Sequence, residues 1–505
     1  MEFIQMLLFY ITLFFLTIIY FTLYSKKSTI NHGFKNYPIL GTIPHLISNR
    51  HRFLEWTTET LSVLPTHTAV FYRPIGVNHG VFTADPANVE YILRTNFINY
   101  PKGPRFVSIL HDFLGTGIFN SDGPVWQLQR KTASFAFTMR ILRNFLMKTV
   151  QTEIKTHLDP LLNEAAGSNR VLDLQDVLER FAFDNVCKLA FNFDPVCLNR
   201  SGSVESEFMK AFDEATALSS ARFLYAFPVC WKIKKLFNFG SEKKLRDAIR
   251  TVHEFADEII RSRLIEEERS ENNNCEKNED LLSRFIVTSK NNAKLLRDVV
   301  ISVILAGKDT TSTGLSWFFW LLSKNPEVTE KIRFEVGQIR ARYKKQVKDT
   351  FEYEELNEMH YLHGAISESL RLYPPVPVDT KACLENDILP DGSRVKKGWF
   401  VLYHTYAMGR MESIWGKDCL EFKPERWLVN GLYKPKSPFS FPVFHGGPRV
   451  CLGREMAYIQ MKSIVASVIE KYEVNLVRKE CPNYLLSLTL RIKDGLHVTL
   501  KERVV

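Results

Sequence analysis

Apolar residues recur every three to four positions in several long stretches of the chain and predict helices there. The longest of these stretches are 141–166, 240–269, 297–324 and 454–471. Shorter apolar or alternating runs predict strands, at HTAVFYR, GVFTA, VKKGWFVLYHTY, LLSLTLRI and LHVTLKE. Residues 266–280 are polar and charged and predict a solvated loop. With no internal repeat in view, the pattern predicts one large, mainly α-helical domain with a small β portion.

The N-terminal part of the chain differs from the rest. Residues 3–24 include 22 positions without a charge, which is long enough to cross a bilayer as a helix. Lys26 and Lys27 follow this stretch, so the positive-inside rule places the rest of the chain in the cytosol. A cleaved signal peptide is the alternative, but it would have a basic start and a small-residue cleavage site. We predict a transmembrane anchor at 1–24, a basic and proline-containing hinge at 25–48, and the catalytic domain at 49–505.

Composition and charge exclude some classes of protein. The 505 residues are 45% hydrophobic and include 37 Phe, which favours a deep apolar interior. The net charge of +10 is not concentrated in a dense Lys/Arg tract, so an anionic membrane surface or an acidic partner is favoured over nucleic acid. The eight cysteines are scattered without a CxxC spacing. This argues against a disulfide framework or a zinc site and favours a reducing compartment.

One cysteine lies in an unusual setting, in the loop FHGGPRVCLG at 444–453. Cys451 stands where a helix is predicted to begin, and free N–H groups and the helix dipole favour a thiolate there. Glycines allow the backbone of such a loop to lie close beside a planar ligand. Arg449 supplies a permanent cation for a nearby carboxylate. These features predict Cys451 as the axial ligand of a haem iron, with a haem propionate beside Arg449; an inert buried cysteine is the alternative.

The loop resembles the haem-binding signature of the cytochrome P-450 superfamily, the haem-thiolate monooxygenases. The resemblance covers about residues 36 to 505, and it implies the cytochrome P-450 fold in one large catalytic domain. It also implies that Phe444, Gly447 and Gly453 belong to the haem-binding loop. His445 and Gly446 stand where Asn or Ser and Ala are commoner. We expect this departure to alter the packing of the loop and not its ligation.

A second motif, E-x-x-R, is formed by Glu368 and Arg371 in ISESLRLYPP, and PERW with Arg426 follows it. The resemblance implies that Glu368, Arg371 and Arg426 bond with one another and hold the core behind the haem, which is a structural role. Trp427 stands where Phe is usual, and we expect only a change of volume there. The same spacing occurs three more times, as ordinary surface pairs, at Glu258/Arg261, Glu266/Arg269 and Glu330/Arg333.

A third motif, LAGKDTTS, lies in the apolar stretch 297–324 and resembles the oxygen-activating helix of the superfamily. The resemblance implies that Ala306 and Gly307 bring backbone against the haem. It also implies that Asp309 and Thr310 form an acid–alcohol pair that delivers protons during oxygen activation. The alternative is a polar notch whose groups bond within a buried helix.

A fourth motif, W-x-x-x-R, is formed by Trp126 and Arg130 in GPVWQLQRK. On a helix the two residues lie one turn apart on the same face. The resemblance implies that both reach the haem propionates. Without the other motifs, a packed Trp with a solvated Arg is the simpler interpretation.

The resemblance further implies haem b as cofactor, O2 as co-substrate and electrons from NADPH. The chain has no G-x-G-x-x-G sequence and no second cofactor domain, so the electrons are expected from a partner protein. The partner implied is the membrane-bound NADPH–haemoprotein reductase, whose acidic docking face suits a basic surface. We therefore expect a single-pass protein of the endoplasmic reticulum membrane with its catalytic domain in the cytosol.

Four further segments are similar to the plant fatty-acid ω-hydroxylase clan: YPKGPRFVSILHDFLGTGIF, YPPVPVDTKAC, YAMGRMESIWG and SLTLR. The branch that they resemble acts on medium- and long-chain fatty acids and on jasmonoyl–amino acid conjugates. Both are amphipathic carboxylates that are oxidised at the far methyl. The resemblance implies an apolar pocket, lined by Phe106, Ile109, Leu110, Leu114, Ile304, Val376, Val378 and Leu488. Lys381 or Arg105 is the candidate partner of the carboxylate, with a surface cation as the alternative.

Other functions share parts of this pattern. A haem-thiolate enzyme that rearranges hydroperoxides would share the cysteine loop, but such enzymes usually lack the acid–alcohol pair, which is present here. A non-catalytic haem-binding membrane protein would need neither that pair nor a reductase. The sequence favours ω-hydroxylation of a fatty acid, and ω-hydroxylation of jasmonoyl–amino acid conjugates is the alternative.

Overall fold

The computed structural model describes residues 12–15, 17, 33–37, 39–74, 77–138, 142–199, 204–225, 227–272, 280–289 and 292–503. The predicted anchor at 1–24 lies outside the described residues, apart from 12–15 and 17. Among the helices of the described part, none combines the length and the apolar character that crossing a bilayer requires.

The architecture is mainly helical, as predicted. The α-helices in the described ranges are α1 Ile43–Asn49, α2 Phe53–Ser62, α3 Pro86–Glu90, α4 Gly103–Leu114, α5 Gly123–Ser134, α6 Met147–Glu153, α7 Asp159–Ser168, α8 Leu174–Phe191, α9 Val204–Ala221, α10 Pro228–Leu236, α11 Ser241–Asn272, α12 Leu281–Ser289, α13 Ala293–Ile304, α14 Thr310–Lys324, α15 Pro326–Tyr343, α16 Tyr353–Glu358, α17 His360–Leu372, α18 Thr405–Met408, α19 Glu412–Trp415 and α20 Arg454–Lys471.

Several helices begin at residues whose side chains cap them. The Asp173 side chain accepts hydrogen bonds from backbone N–H groups in the first turn of α8, and Asn292 does the same for α13. Glu352 and Glu355 form a reciprocal capping box at α16. Each cap satisfies N–H groups that have no partner within the helix.

The predicted helical stretches are found, with two changes. The stretch 454–471 coincides with α20, and 240–269 falls within α11 apart from its first residue. The stretches at 141–166 and 297–324 contain π-helical turns, at Leu142–Leu146, Ile154–Leu158 and Leu305–Asp309. The loop predicted at 266–280 was wrong in its first half because α11 continues to Asn272; residues 273–279 lie outside the described part.

The strands are β1 Thr68–Phe71, β2 Gly80–Thr83, β3 Leu172–Asp173, β4 Asp379–Ala382, β5 Asp387–Ile388, β6 Arg394–Val395, β7 Phe400–Tyr403, β8 Leu428–Val429, β9 Leu432–Tyr433, β10 Tyr472–Leu476, β11 Tyr484–Leu486, β12 Leu490–Ile492 and β13 His497–Glu502. The largest sheet of the described part has the order β1-β2-β7-β4, in which only the β2–β7 pair is parallel. The run LLSLTLRI folds back as the β11–β12 hairpin, and β13 pairs with β10 and β3.

The buried apolar residues form two large clusters. One packs the four-stranded sheet against α2, α14, α17 and α20, and the other joins α4, α8, α9, α11 and α13. A cavity lined from both clusters lies between them, for example by Leu370 and Met461 on one side and by Leu110 and Val299 on the other. The fold therefore brings segments from distant parts of the chain to one apolar space.

Part of the predicted hinge at 25–48 packs onto the domain. Phe34 is fully buried, and its ring lies 5.1 Å from that of Trp56. Pro44 does not break the local helix, because it lies in the first turn of α1, where a missing N–H costs nothing. Residues 33–37 and 39–48 therefore contribute to the core and not only to a connector.

Candidate functional site

The loop around Cys451 is held by its own backbone and leads into α20. The N–H of Cys451 donates to the carbonyl oxygen of Phe444 over 2.8 Å. Short 3₁₀ turns at Pro442–Phe444 and Gly447–Arg449 precede the cysteine, and α20 begins three residues after it. The cysteine thus stands just before the N-terminus of a long helix, as predicted.

Two glycines of this loop serve its packing and do not face the cavity. Gly447 has a φ of +63°, and a Cβ there would collide with the carbonyl oxygen of Leu93. A Cβ on Gly446 would lie 2.6 Å from the Phe439 ring. Glycine is needed at position 447 because other backbone approaches on the side where a Cβ would lie; the place of Gly447 beside the cofactor stays a prediction.

Cys451 lines a cavity of about 450 Å³. Phe444, Leu452 and Gly453 line it on the side of the cysteine loop, and Ala306 and Thr310 line it on the side of the 293–324 helix. Most of its other lining residues are apolar. A space of this size and character is typical of a small-molecule site.

Six of the eight predicted pocket residues line this cavity: Phe106, Leu110, Leu114, Val376, Val378 and Leu488. Ile109 and Ile304 do not. Both are buried in the cluster that joins α4, α8, α9, α11 and α13. The structure therefore places these two side chains in the core.

The helix opposite the cysteine loop is widened by the π-helical turn Leu305–Asp309. Such turns shift the register of the side chains and occur often at functional sites. Ala306, Gly307 and Thr310 line the cavity here. The hydroxyl of Thr310 donates to the carbonyl oxygen of Ala306 over 2.6 Å, so Thr310 bonds back one turn while it faces the cavity.

Asp309 does not accompany Thr310 into the cavity. It lies 2.6 Å from Nζ of the fully buried Lys308, which also binds Asp213 over 2.8 Å. Asp309 lines a second, smaller cavity of about 200 Å³, together with Asp213 and Arg491. Burial raises the pKa of Asp309, and Lys308 opposes this rise. The structure therefore places the predicted acid and alcohol on different cavities; Ser487 lines both.

Trp126, Arg130 and Arg449 lie together beside the cysteine loop. All three line the main cavity, and the Arg449 guanidinium lies 4.3 Å from the centre of the Trp126 ring. Arg449 donates to Asp122 over 2.7 Å, but its buried Nε has no hydrogen-bond partner in the described residues. The pKa of Arg130 is lowered, because the effect of burial exceeds the opposite effect of the nearby Cys451.

A second group of charges next to this loop escaped the sequence analysis. The carboxylate of Asp379 accepts hydrogen bonds from Nζ of Lys102 over 2.6 Å and from the hydroxyl of Tyr403 over 2.9 Å. Lys381 lies 3.2 Å from the same carboxylate, and His445 lies 3.4 Å from it. Only the alternation of polar and apolar residues in PVPVDTKAC could have indicated these groups, because the pairings join distant segments.

The charges of this group are strongly perturbed. Burial favours a higher pKa for Asp379, but Lys102 and Lys381 hold the pKa well below its usual range. Burial lowers the pKa of Lys381 to about 7, and Lys102 and Arg449 contribute to the decrease. Two carboxylates, those of Asp379 and Asp122, face the side chains of Lys102, Lys381 and Arg449. Such a group of cations is suited to bind further acidic groups.

These residues fit a haem bound through Cys451. Burial raises the pKa of the Cys451 thiol, while the N–H of Gly453 and the charges of Arg130 and Arg454 lower it. The thiol lines the mostly apolar cavity, and Thr310 and Trp126 line the same cavity. The partnerless Nε of Arg449 and the surplus of cations mark where the acid groups of such a cofactor would lie.

The E-x-x-R residues form a fully buried cluster. Arg371 donates to both carboxylate oxygens of Glu368, over 2.8 and 2.6 Å, and neither side chain is exposed. Arg426 donates to Glu368 over 3.2 Å. Arg371 also donates to the carbonyl oxygens of Cys419 and Glu421. The structure thus brings together the three residues that the motifs singled out.

Trp427 is a fourth member of this cluster. Its indole Nε1–H donates to Glu368 over 2.8 Å, and the side chain is almost fully buried. The expectation of a mere volume change at this position was therefore incomplete. An indole differs from the usual phenyl ring because it supplies a hydrogen-bond donor to a buried carboxylate.

We expect Trp427→Phe to destabilise the protein by about 1.5 to 3 kcal/mol, because Glu368 loses a charge-assisted hydrogen bond. The denaturant midpoint of the holoprotein measures the change. Trp320→Phe is the matched control, because Trp320 is buried but its Nε1–H has no partner in the described residues. Equal losses in the two variants would mean that the bond to Glu368 contributes nothing.

The helical fold, the cysteine before α20 and the cavity that it faces define a haem-thiolate protein. Comparison with known proteins agrees: the sequence profile of the cytochrome P450 family matches residues 32–498. The chain is 49% identical to cytochrome P450 CYP94D108 of Paris polyphylla over 468 residues, 92% of this chain and 91% of that protein. The chain belongs to the cytochrome P450 family.

Two further relatives cover nearly the whole chain. Cytochrome P450 94A1 of Vicia sativa is 44% identical over 479 residues, 93% of this chain and 90% of that protein. Cytochrome P450 94B3 of Arabidopsis thaliana is 43% identical over 508 residues, 99% of this chain and 98% of that protein. As a member of the family, the protein is a monooxygenase that binds haem b and uses O2 with electrons from a redox partner.

Proposed function

We propose that this protein hydroxylates the terminal carbon of an amphipathic carboxylate, with a medium- or long-chain fatty acid as the substrate. The observation that carries the proposal is the mostly apolar cavity that Cys451 lines, because an alkyl chain needs such walls. The resemblance of four segments to the ω-hydroxylase clan supports it. One oxygen atom of O2 enters the C–H bond, the other leaves as water, and NADPH supplies the two electrons.

The roles of the site residues follow from their positions. Cys451 would hold the haem iron through its thiolate, and the bound haem would supply the oxygen chemistry. Arg449, Trp126 and Arg130 would hold the acid groups of the cofactor. Lys381 belongs with them, because it lies 3.2 Å from Asp379, whose carboxylate also lies 3.4 Å from His445 of the cysteine loop. Glu368, Arg371 and Arg426 keep the surrounding core in place.

Proton delivery is assigned to Thr310 and Asp309 in series. The Thr310 hydroxyl holds its proton at the wall of the main cavity. Asp309 lies behind it and lines the second cavity with Arg491, so it exchanges protons from that side. Lys308 neutralises Asp309 and Asp213 in the buried interior, where unpaired charges would be costly.

We expect Thr310→Ala to reduce product formation by roughly a hundredfold while NADPH consumption continues, because the proton donor at the cavity wall is lost. The ratio of product to NADPH in the presence of reductase measures the effect. Ser316→Ala is the matched control: its hydroxyl also bonds back one turn, over 2.7 Å, but does not line the cavity. A Thr310 variant with the same ratio of product to NADPH as the wild type would contradict this role.

The membrane anchor and the reductase are part of the same proposal. Residues 3–24 carry no charge and precede two lysines, which supports a single span with the catalytic domain in the cytosol. An endoplasmic reticulum membrane shared with NADPH–haemoprotein reductase would bring the two proteins together. Alkaline extraction should leave the full chain in the membranes and release a chain that lacks residues 1–24; retention of the truncated chain would contradict the anchor.

A competition experiment tests the substrate class. The full chain, reductase and NADPH receive an equimolar mixture of dodecanoic acid, oleic acid and jasmonoyl-isoleucine, and products are followed by mass spectrometry. We expect terminal hydroxylation of the fatty acids. Preferential oxidation of the conjugate would replace the fatty-acid assignment by hormone turnover. A reducible haem without any oxygenated product would contradict the proposed function.

A further inference from the structure

The main cavity carries two arginines that the chemistry at Cys451 does not use. Arg73 follows β1 and is buried, and Arg105 lies in the first turn of α4. Both line the cavity. They are close enough that the charge of Arg73 lowers the pKa of Arg105.

Arg105 differs in its partners from three other cations that line the cavity, Lys102, Lys381 and Arg449. Lys102, Lys381 and Arg449 each have a carboxylate within ion-pair distance. In the described part of the chain, no carboxylate forms an ion pair with Arg105. Its guanidinium donates to the carbonyl oxygen of Phe223 over 3.4 Å and lies 4.5 Å from the centre of the Phe400 ring.

An enclosed guanidinium without a counter-charge is unusual, because removing a charge from water is costly unless it is paired. Burial, together with the smaller effect of the charge of Arg73, lowers the pKa of Arg105 to about 9. Arginine binds carboxylates through two parallel hydrogen bonds. The site therefore suits an anion that the protein does not itself supply.

The sheet shows where this anion site lies relative to the cysteine loop. Tyr403, at one end of β7, binds Asp379, and its ring lies 6.1 Å from that of His445 in the loop. Phe400 is three residues away at the other end of β7, a distance of about 10 Å along the strand. Arg105 lies over that end.

The register of the sheet places Arg73 at the same end. Phe400 is paired with Gly80, and Gly80 is paired with Phe71, two residues before Arg73. Both arginines therefore lie at the end of the sheet that is remote from His445. The cavity therefore has cations at two places, beside the cysteine loop and at this remote end of the sheet.

We propose that Arg105, with Arg73 beside it, binds the carboxylate of the substrate at the end of the cavity remote from the cysteine loop. The inference rests on the proposed function and deepens it. With the acid group held there, the alkyl chain extends through the apolar part of the cavity and presents its far methyl at the wall lined by Ala306 and Thr310, where the bound haem would supply the oxidation. The anion site thus determines that oxidation occurs at the terminal carbon.

Binding titrations of the full-length holoprotein test the inference without turnover. The shift of the Soret band is followed with dodecanoic acid and with dodecanol, which has the same chain and no charge. We expect Arg105→Gln to weaken the binding of dodecanoic acid roughly tenfold to a hundredfold. The binding of dodecanol should weaken by less than about threefold. Arg105→Lys should lie between Arg105→Gln and the wild type, because the charge remains without the bidentate geometry.

The control variant is Lys397→Gln, because Lys397 is a mostly exposed cation in the loop before the same strand. It should bind both ligands as the wild type does. Equal weakening of the acid and the alcohol by Arg105→Gln, or no weakening of either, would overturn the inference. A changed Soret spectrum or reduction potential of Arg105→Gln before ligand is added would assign Arg105 to the haem propionates instead and would also overturn it.

The product pattern separates this inference from the proposed function. Wild-type protein that hydroxylates dodecanoic acid at the terminal carbon, together with an Arg105→Gln variant of unchanged acid binding and regiochemistry, would overturn the inference alone. Haem-loaded wild-type protein that neither binds nor oxidises fatty acids would overturn the proposed function and the inference with it. The result expected is a wild type specific for the terminal carbon and a glutamine variant that spreads oxidation over neighbouring carbons.

Discussion

Replacement of Cys451 by serine is expected to abolish monooxygenase activity. The thiol faces the cavity just before α20, and the surrounding Arg130, Arg449 and Trp126 fit a haem held at this point. A serine hydroxyl is a poor substitute because it cannot supply the thiolate that a cysteine gives when it ionises. Product formation should fall to the level of the reaction without protein, and the spectrum of the reduced carbon monoxide complex should lose its thiolate signature.

Cys230→Ser is the control for this variant, because Cys230 is exposed on α10. It should retain both the thiolate spectrum and the turnover of the wild type. A Cys451→Ser variant that kept the spectrum or the turnover would remove the basis for the whole site. The cysteine of the loop would then be one of the inert structural thiols.

The second large effect is expected at Glu368. Glu368→Ala leaves the buried guanidinium of Arg371 without its carboxylate, and neither side chain reaches solvent. Breaking a buried pair in this way costs about 3 to 5 kcal/mol, a large share of the 5 to 15 kcal/mol that stabilises a typical protein. We expect a low yield of folded, haem-containing protein and a much lower midpoint of thermal unfolding.

Glu330→Ala is a matched control for Glu368→Ala because it has the same E-x-x-R spacing on an exposed helix face. Arg333 donates to Glu330 over 2.7 Å, but both side chains are well exposed. An exposed pair contributes at most about 1 kcal/mol, so this variant should be close to the wild type. Similar losses in the two variants would mean that burial does not distinguish the structural motif from a chance match.

The parts of the fold that the sequence predicted are those determined by local patterns. The apolar stretch 454–471 coincides with α20, because its buried positions and its polar start are both visible in the sequence. The glycine-rich loop before it identified Cys451 for the same reason. The pairing of Glu368 with Arg371 needed only helical spacing and the apolar context of α17.

The remaining features depend on contacts between distant segments. Apolar periodicity marks Ile109 and Ile304 as buried, but it cannot tell whether an apolar side chain meets a cavity or another helix. The π-helical turn Leu305–Asp309 changes the direction of Asp309, and no sequence signal in LAGKDTTS indicates such a turn. The bond from Trp427 to Glu368 likewise became visible only when PERW lay against α17.

The distribution of charge along the cavity also required the structure. Asp379 and Asp122 come from segments more than two hundred residues apart, yet both lie among the cations beside the cysteine loop. Their presence separates Lys381 from Arg105, which the sequence left as equal candidates for the substrate carboxylate. The proposal that Arg105 is the partner rests on the pairing of Lys381 with Asp379 and not on residue type.

The position of the hydroxyl group in the product is the most direct test of the proposed function. The full-length protein is reconstituted with reductase, NADPH and dodecanoic acid, and the hydroxylated products are separated and identified by mass spectrometry. The proposal predicts that the hydroxyl group lies on the terminal carbon in nearly all of the product. Hydroxylation spread along the interior of the chain, or none with a fully reducible haem, would contradict it.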